Sequence, residues 1–205
     1  MTALETLIPA VEPVVQDGST SRIPNIIGLD LSIAAPGFAD INGATHTVKL
    51  KASLGDRRLN DIAREAVRLA TGHPWRTDLA VIEDLPTHAH GAGITGMVHG
   101  AVRAALNDLG VPYVTVPPAS LKKYATGKGN ADKTAMAIAA LKRFGLEFAD
   151  DNCCDAYWLR AMGLHAYRHP LVDLPVLQAD ALGKIAWPLL ADTSTIRIDP
   201  EGGTQ

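Results

Sequence analysis

Asp30, Glu83, Asp151 and Asp155 are the residues of this chain best suited to chemistry. Asp30 lies near the end of the apolar run "PNIIGLDLS", and Glu83 falls near the end of a second, "DLAVIEDLP". A carboxylate left ionised and unpartnered among such neighbours costs on the order of 3 kcal/mol or more. A partner is therefore required, either a basic side chain or a metal. Asp155 belongs to "DDNCCDAYWLRAMGLHAY", which reads as a helix, with Asp151 one turn earlier. Four residues advance a helix by about 400°, so positions 151 and 155 lie about 40° apart, and 152 and 155 about 60°, on one face. Acids converging from two strand ends and a helix repel one another unless divalent cations hold them, and all-oxygen sites suit Mg²⁺ or Mn²⁺. Two such ions about 4 Å apart can activate a water and stabilise the departing oxygen of a phosphodiester, so the expected chemistry is hydrolysis at phosphorus. Any one of these acids alone would serve equally well as a turn or helix cap; their joint placement carries the reading. Glu83 is followed by Asp84, and strand alternation alone leaves open which of the two faces inward.

The elements that must place these acids follow from hydrophobic periodicity. The first strand is expected from 24 to about 32. Asn42-Gly43 then marks a hairpin, leading into the alternating strand "THTVKLKA". Leu59, Ile62, Ala63, Ala66 and Leu69 recur at helical spacing from Arg57 to about Ala70, and Gly72 with Pro74 ends that pattern. "DLAVIEDLP" is a buried strand, "GAGITGMVHGAVRAALNDLG" an Ala- and Gly-rich helix, and "VPYVTVPP" another strand. After a Gly-rich loop, "ADKTAMAIAALKRFG" and the segment carrying Asp155 are helices. Three antiparallel strands followed by helix, strand, helix, strand and helices is the order of an RNase H-like α/β domain, a five-stranded mixed sheet flanked by helices. Residues 1–22 read as a flexible arm, 23–168 as the domain, and 169–205 as an extension that packs on the body or reaches a partner.

The chain has 205 residues, 47% of them apolar and 20% charged, with a net charge of −3. That length can bury a sizeable core, and the acidic balance argues against a generic nucleic-acid binder. Distribution matters more than the sum. Between Leu109 and Glu147 stand Lys122, Lys123, Lys128, Lys133, Lys142 and Arg143, against the single acid Asp132. Gly127 and Gly129 would let backbone approach a phosphate, Asn130 could cap the following helix, and a helix N-terminus attracts anions. "GKGNADKT" nearly spells a nucleotide-binding P-loop, but Asp132 stands where the second Gly is needed and would repel phosphates, so ATP binding is not expected. No apolar run reaches membrane-spanning length, and the N-terminus lacks a signal-peptide pattern, which suggests a cytosolic protein. The adjacent Cys153 and Cys154 offer neither CxxC metal spacing nor a disulfide framework, and they read as buried thiols. His88 and His90 read as solvated loop residues. Trp75, Tyr157 and Trp158 read as core, whereas Tyr124, beside the lysines, is a candidate for stacking on unpaired bases.

Four ordered blocks, "IIGLDLS", "AVIEDL", "PPASLKKYATGKGNADKTAM" and "DDNCCDAYWL", resemble the RuvC-like Holliday junction resolvases of the RNase H-like superfamily, especially versions carried by phages. The resemblance spans about residues 24–167. It implies a structure-selective endonuclease that resolves four-way junctions or related branched DNA, with Asp30, Glu83 and Asp155 binding two Mg²⁺ ions (Mn²⁺ a possible substitute). It also implies that Lys122 supports the developing charge and Lys133 contacts DNA; Lys123 and Lys128 beside them read as general phosphate contacts, and Tyr124 as a further DNA contact. The family usually has Asp or His three residues before the last Asp. Here that position is Asn152, and Asp151 can supply the missing oxygen. Where the family often has Pro-Gly after its first Asp, this chain has Leu31-Ser32. Symmetric cuts on two strands need two active sites, so a homodimer is expected, with the small-residue helix from about 92 to 109 at the interface. The alternatives are a nuclease of the same fold acting on flaps, forks or RNA, and a catalytically impaired branched-DNA-binding protein, made thinkable by Asn152.

Overall fold

The computed structural model describes residues 22–85 and 92–190. The predicted arm, apart from its last residue, and the loop with His88 and His90 lie outside the described residues. Five strands, β1 (Ile26–Asp30), β2 (Gly37–Ala39), β3 (Thr45–Thr47), β4 (Leu79–Glu83) and β5 (Tyr113–Val116), form one sheet in the order β3-β2-β1-β4-β5. β1–β2 and β2–β3 pair antiparallel, while β1–β4 and β4–β5 pair parallel. This is the expected five-stranded mixed sheet, with helices α1 (Arg57–Thr71) and α2 (Ala92–Asp108) on one face and α5 (Asp151–Ala166) on the other. Among the described residues, no helix is long and apolar enough to cross a membrane.

Strand alternation divides the core in two. Ile27, Leu29, Ala80 and Ile82 join Ile62, Ala66, Val98 and Val102 of α1 and α2. Ile26, Leu79, Val81, Val114 and Val116 face Trp158, Leu159 and Met162 of α5. α5 is buried almost all round, because α3 (Pro118–Thr126) and α4 (Lys133–Phe144) cover the side turned away from the sheet. Its seat on the sheet depends on glycine. A Cβ at Gly28 would stand 2.0 Å from the Ala156 carbonyl oxygen, and one at Gly37 would stand 2.1 Å from that of Asn152. Only the absent side chains let the helix backbone lie this close.

Several boundaries differ from expectation. β1 ends at Asp30, not Ser32. β3 is only three residues long. Beyond it, Val48 and Leu50 still donate to the carbonyls of Pro36 and Ala34, but Pro36 has no N–H to return, so the regular ladder stops. The Asn42-Gly43 turn forms as expected, with Gly43 at φ 89° and the Asp40 carboxylate accepting from the N–H groups of Asn42 and Ala44. α3 occupies a stretch read as loop; its signals are Pro118 at the first turn and Gly127 in the left-handed conformation after its end. Asp132, not Asn130, caps α4, its Oδ1 accepting from the Ala135 N–H at 2.8 Å. Tyr157 and Trp158 are core, but Trp75 is 66% exposed. The described part of the extension packs on the body: Leu174, Leu182, Ile185 and Trp187 lie against the α5-side core, and Ala181 is fully buried within it.

Candidate active site

The parallel pairing of β1 with β4 runs in register to Leu29 opposite Ile82, so Asp30 and Glu83 emerge side by side one residue later. Alternation settles the ambiguity left by the tandem acids. Glu83 follows Leu79 and Val81 onto the α5 face, while Asp84 turns to α2, 3.7 Å from Arg103 Nη2. α5 brings the third acid. Its N-cap is Asp150, which no sequence signal singled out in advance; Oδ1 accepts from the Cys153 N–H at 2.9 Å and from Thr47 Oγ1 at 2.8 Å. The first bond caps α5 and the second ties its start to β3, which places Asp155, one turn on, toward the strand ends.

The electrostatics record the convergence. Asp30 is only 9% exposed, and burial first, then the charges of Glu83 and Asp155, hold its pKa well above the usual carboxylate range. It shares a hydrogen bond with Glu83. Glu83 is pushed up to about 7 by burial and by Asp155, with Lys122 acting in the opposite direction. Asp155 is pushed up to about 6 by burial and by Asp151, against the pull of Lys122 and Lys133. Its Oδ1 is buried without a hydrogen-bond donor among the described residues. Asp151 is a third exposed and pairs with Lys133 at the start of α4. Asn152 lies over Gly37, the residue paired with Asp30, so both candidates for a further oxygen border the cluster.

Among the described residues, no three acidic, histidine or cysteine side chains form a ready-made metal-ligand arrangement. The acids instead stand as a crowded row, in which Asp30 and Glu83 share a hydrogen bond and the charge of Asp155 raises both of their pKa values. An orphaned buried oxygen, an all-carboxylate donor set and raised pKa values together fit a hard divalent cation. Lys122 and Lys123 on α3 are half-buried, and Lys128 and Lys133 are exposed around the turn from α3 to α4; of these, Lys122 acts on Glu83, and Lys133 on Asp151 and Asp155. Tyr124 is a correction. It is 2% exposed, packed edge-on to Trp158, with its hydroxyl 3.1 Å from His165 Nδ1. One residue after Lys123 the α3 surface has turned into the core, so the ring is not available to stack on DNA bases.

No protein-family model matches the chain. A curated relative, "Crossover junction endodeoxyribonuclease RuvC" of Synechococcus sp. (strain WH7803), is 28% identical over 143 residues, covering 64% of this chain and 92% of that protein. The solved RuvC structure of Thermus thermophilus superposes with a TM-score of 0.58 at 21% identity, over 73% of this chain and 99% of its own. T. thermophilus RuvC in complex with a Holliday junction substrate gives a TM-score of 0.55 at 22% identity, over 66% and 89%.

Proposed function

We propose that this chain, homologous to RuvC in sequence and fold, is a metal-dependent endonuclease that cuts four-way DNA junctions as a homodimer. The observation that carries the reading is the carboxylate row. Asp30 and Glu83, at the ends of paired parallel strands, and Asp155 lie close enough for Asp155 to raise the pKa values of the other two, beside a lysine-bearing helical turn. Asp30, Glu83 and Asp155 would hold two Mg²⁺ ions, with Mn²⁺ a workable substitute, and Asp151, now paired with Lys133, would add a further oxygen. Bound there, such ions would supply an activated water and charge at the departing oxygen of the phosphodiester. The chain's own groups do the rest. Lys122, whose charge already acts on both Glu83 and Asp155, offsets negative charge developing at the phosphate. Lys123, Lys128 and Lys133 grip the backbone without reading sequence. The α2 helix, with Ile94 and Met97 exposed, is the face offered to a second copy.

Labelled four-way junction, flap and linear duplex, each incubated with Mg²⁺ or with EDTA, test this reading. Paired cuts in the junction that need the metal are expected, and Asp30→Asn removes cutting while leaving junction binding. Equal cutting of flaps would replace the junction with a broader branched substrate; binding without cutting would leave only the DNA-binding role. A monomeric mass both alone and on the junction would refute the dimer.

A further inference from the structure

The C-terminal extension carries a buried polar group that neither the acid cluster nor the sheet explains. Gln178, on the single-turn helix α6 (Val176–Ala179), is 6% exposed, and its amide is used at both ends. Nε2 donates to the Ala125 carbonyl at 3.3 Å, one of the last-turn carbonyls of α3 that has no helical partner. Oε1 accepts from Arg143 Nη2 of α4 at 3.1 Å, and Arg143 Nη1 donates to the Asp173 carbonyl at 3.2 Å. A single side chain thus joins α3, α4 and the extension.

What lies beyond that joint is the turn holding the lysines. Directly after Ala125, Thr126 Oγ1 donates to the Lys122 carbonyl at 2.8 Å and accepts from the Lys128 N–H at 3.1 Å. Gly127 adopts φ 84° against the Gln178 amide, and Gly129 folds back so that a Cβ there would sit 3.2 Å from the Ala119 carbonyl oxygen. The chain then enters α4 at Lys133. The extension is itself anchored elsewhere: the Tyr167 hydroxyl donates to the Pro188 carbonyl at 2.6 Å, and Trp187 packs edge-on to Tyr167. A strap fixed at its far end and bonded to the root of the lysine turn limits how that turn can move.

We propose that Gln178 is a positioning residue, which braces the turn from α3 to α4 so that Lys122, Lys123, Lys128 and Lys133 are held in the arrangement that grips the phosphate backbone. The proposal rests on the DNA-cutting reading for what the lysines grip, but not for the brace itself. A pre-ordered turn binds without having to be ordered first, so loosening it lowers affinity without touching the acid cluster.

Gln178→Met keeps the length of the side chain and removes both hydrogen bonds. In the full-length protein, amide hydrogen exchange over residues 126–132 is expected to quicken while residues 26–30 stay protected. Junction affinity falls at least about fivefold, as expected when a turn that was held in place must be ordered on binding. The dependence of binding on salt becomes shallower by about one unit of log–log slope as one lysine leaves the backbone. Mn²⁺ affinity, measured by calorimetry without DNA, stays at the parent value. Unchanged exchange over 126–132 overturns the proposal, and so does faster exchange with unchanged junction affinity. A parallel fall in Mn²⁺ affinity also overturns it, because it marks general loosening. Should Gln178→Met not fold, Arg143→Gln removes the other end of the bridge and is judged by the same outcomes. If the parent protein itself shows no preference for the junction, the proposed function fails, and hydrogen exchange alone then decides the brace.

Discussion

Glu83 and Asp84 are neighbours in the chain and carry the same charge, yet they end on opposite faces of the sheet in opposite environments. On the α2 face, Asp84 stands near Arg103, whose guanidinium also reaches His99 Nδ1 at 3.2 Å and lies 5.5 Å from the centre of the Tyr113 ring. Burial, then the Arg103 charge, pushes His99 down to about 4, so it is neutral and accepts from Arg103. On the α5 face, Glu83 meets Asp30 and Asp155, with Lys122 acting in the opposite direction. One face is balanced by its own side chains and is therefore structural. Among the described residues, the other face gathers Asp30, Glu83, Asp151 and Asp155 against Lys122 and Lys133, at a cost in stability that a bound cation would remove.

The sharpest way to break this contrast is Asp30→Asn. Removing one acid of the row is expected to lower junction cutting by about 10³-fold or more in a single-turnover assay, while raising the metal-free melting temperature at pH 8 by a few degrees. A lower melting temperature would mean that the acids are already balanced within the protein. Gly28→Ala attacks the spacing instead: the new methyl would collide with the Ala156 carbonyl, and α5 must lift off β1. A loss of about 1–3 kcal/mol in urea unfolding is expected, together with weaker metal binding as Asp155 retreats from the strand ends.

Proton linkage gives the next effect. Asp30, Glu83 and Asp155 all have folded pKa values above those of the unfolded chain, so in this pH range the native state holds more protons than the unfolded one. Their contribution to stability is therefore greatest when they are protonated, and it is lost as pH rises from about 4 through the folded values near 6 and 7. Without metal, this contribution to the melting temperature should fall between pH 5 and 8. Adding Mg²⁺ at pH 8 should reverse the fall, and metal affinity should rise over the same range. A metal-free protein whose melting temperature climbs through that window would contradict the arrangement. The smallest effect belongs to the balanced face. Asp84→Asn loosens a long, half-exposed pair and should cost less than about 1 kcal/mol, with metal affinity unchanged.

Sequence patterning was most informative where period and composition agreed. α1 runs from Arg57 to Thr71, within a residue of its expected end, and α2 and the two last long helices fall where their apolar spacing puts them. α3 escaped notice because nine residues of mixed character between Pro118 and Gly127 show no clear apolar stripe. Tyr124 was misjudged for a related reason. Two lysines beside it suggested a surface, but in a helix the next residue turns about 100° away and here points at Trp158. Asp150 and Thr47 could not have been paired in advance, because they lie 103 residues apart and meet only when α5 docks on the hairpin.

The amino-acid order by itself determined that strands would end in acids, that a late helix would offer Asp155 with Asp151 on the same face, and that lysines would cluster before α4. These are matters of period and composition, set by neighbours a few residues away. Which of Glu83 and Asp84 faces the row, how close α5 may lie, and which side of α3 is core were decided by docking. They depend on strand register, on backbones that touch across Gly28 and Gly37, and on whether a side chain from a distant element arrives to neutralise a charge.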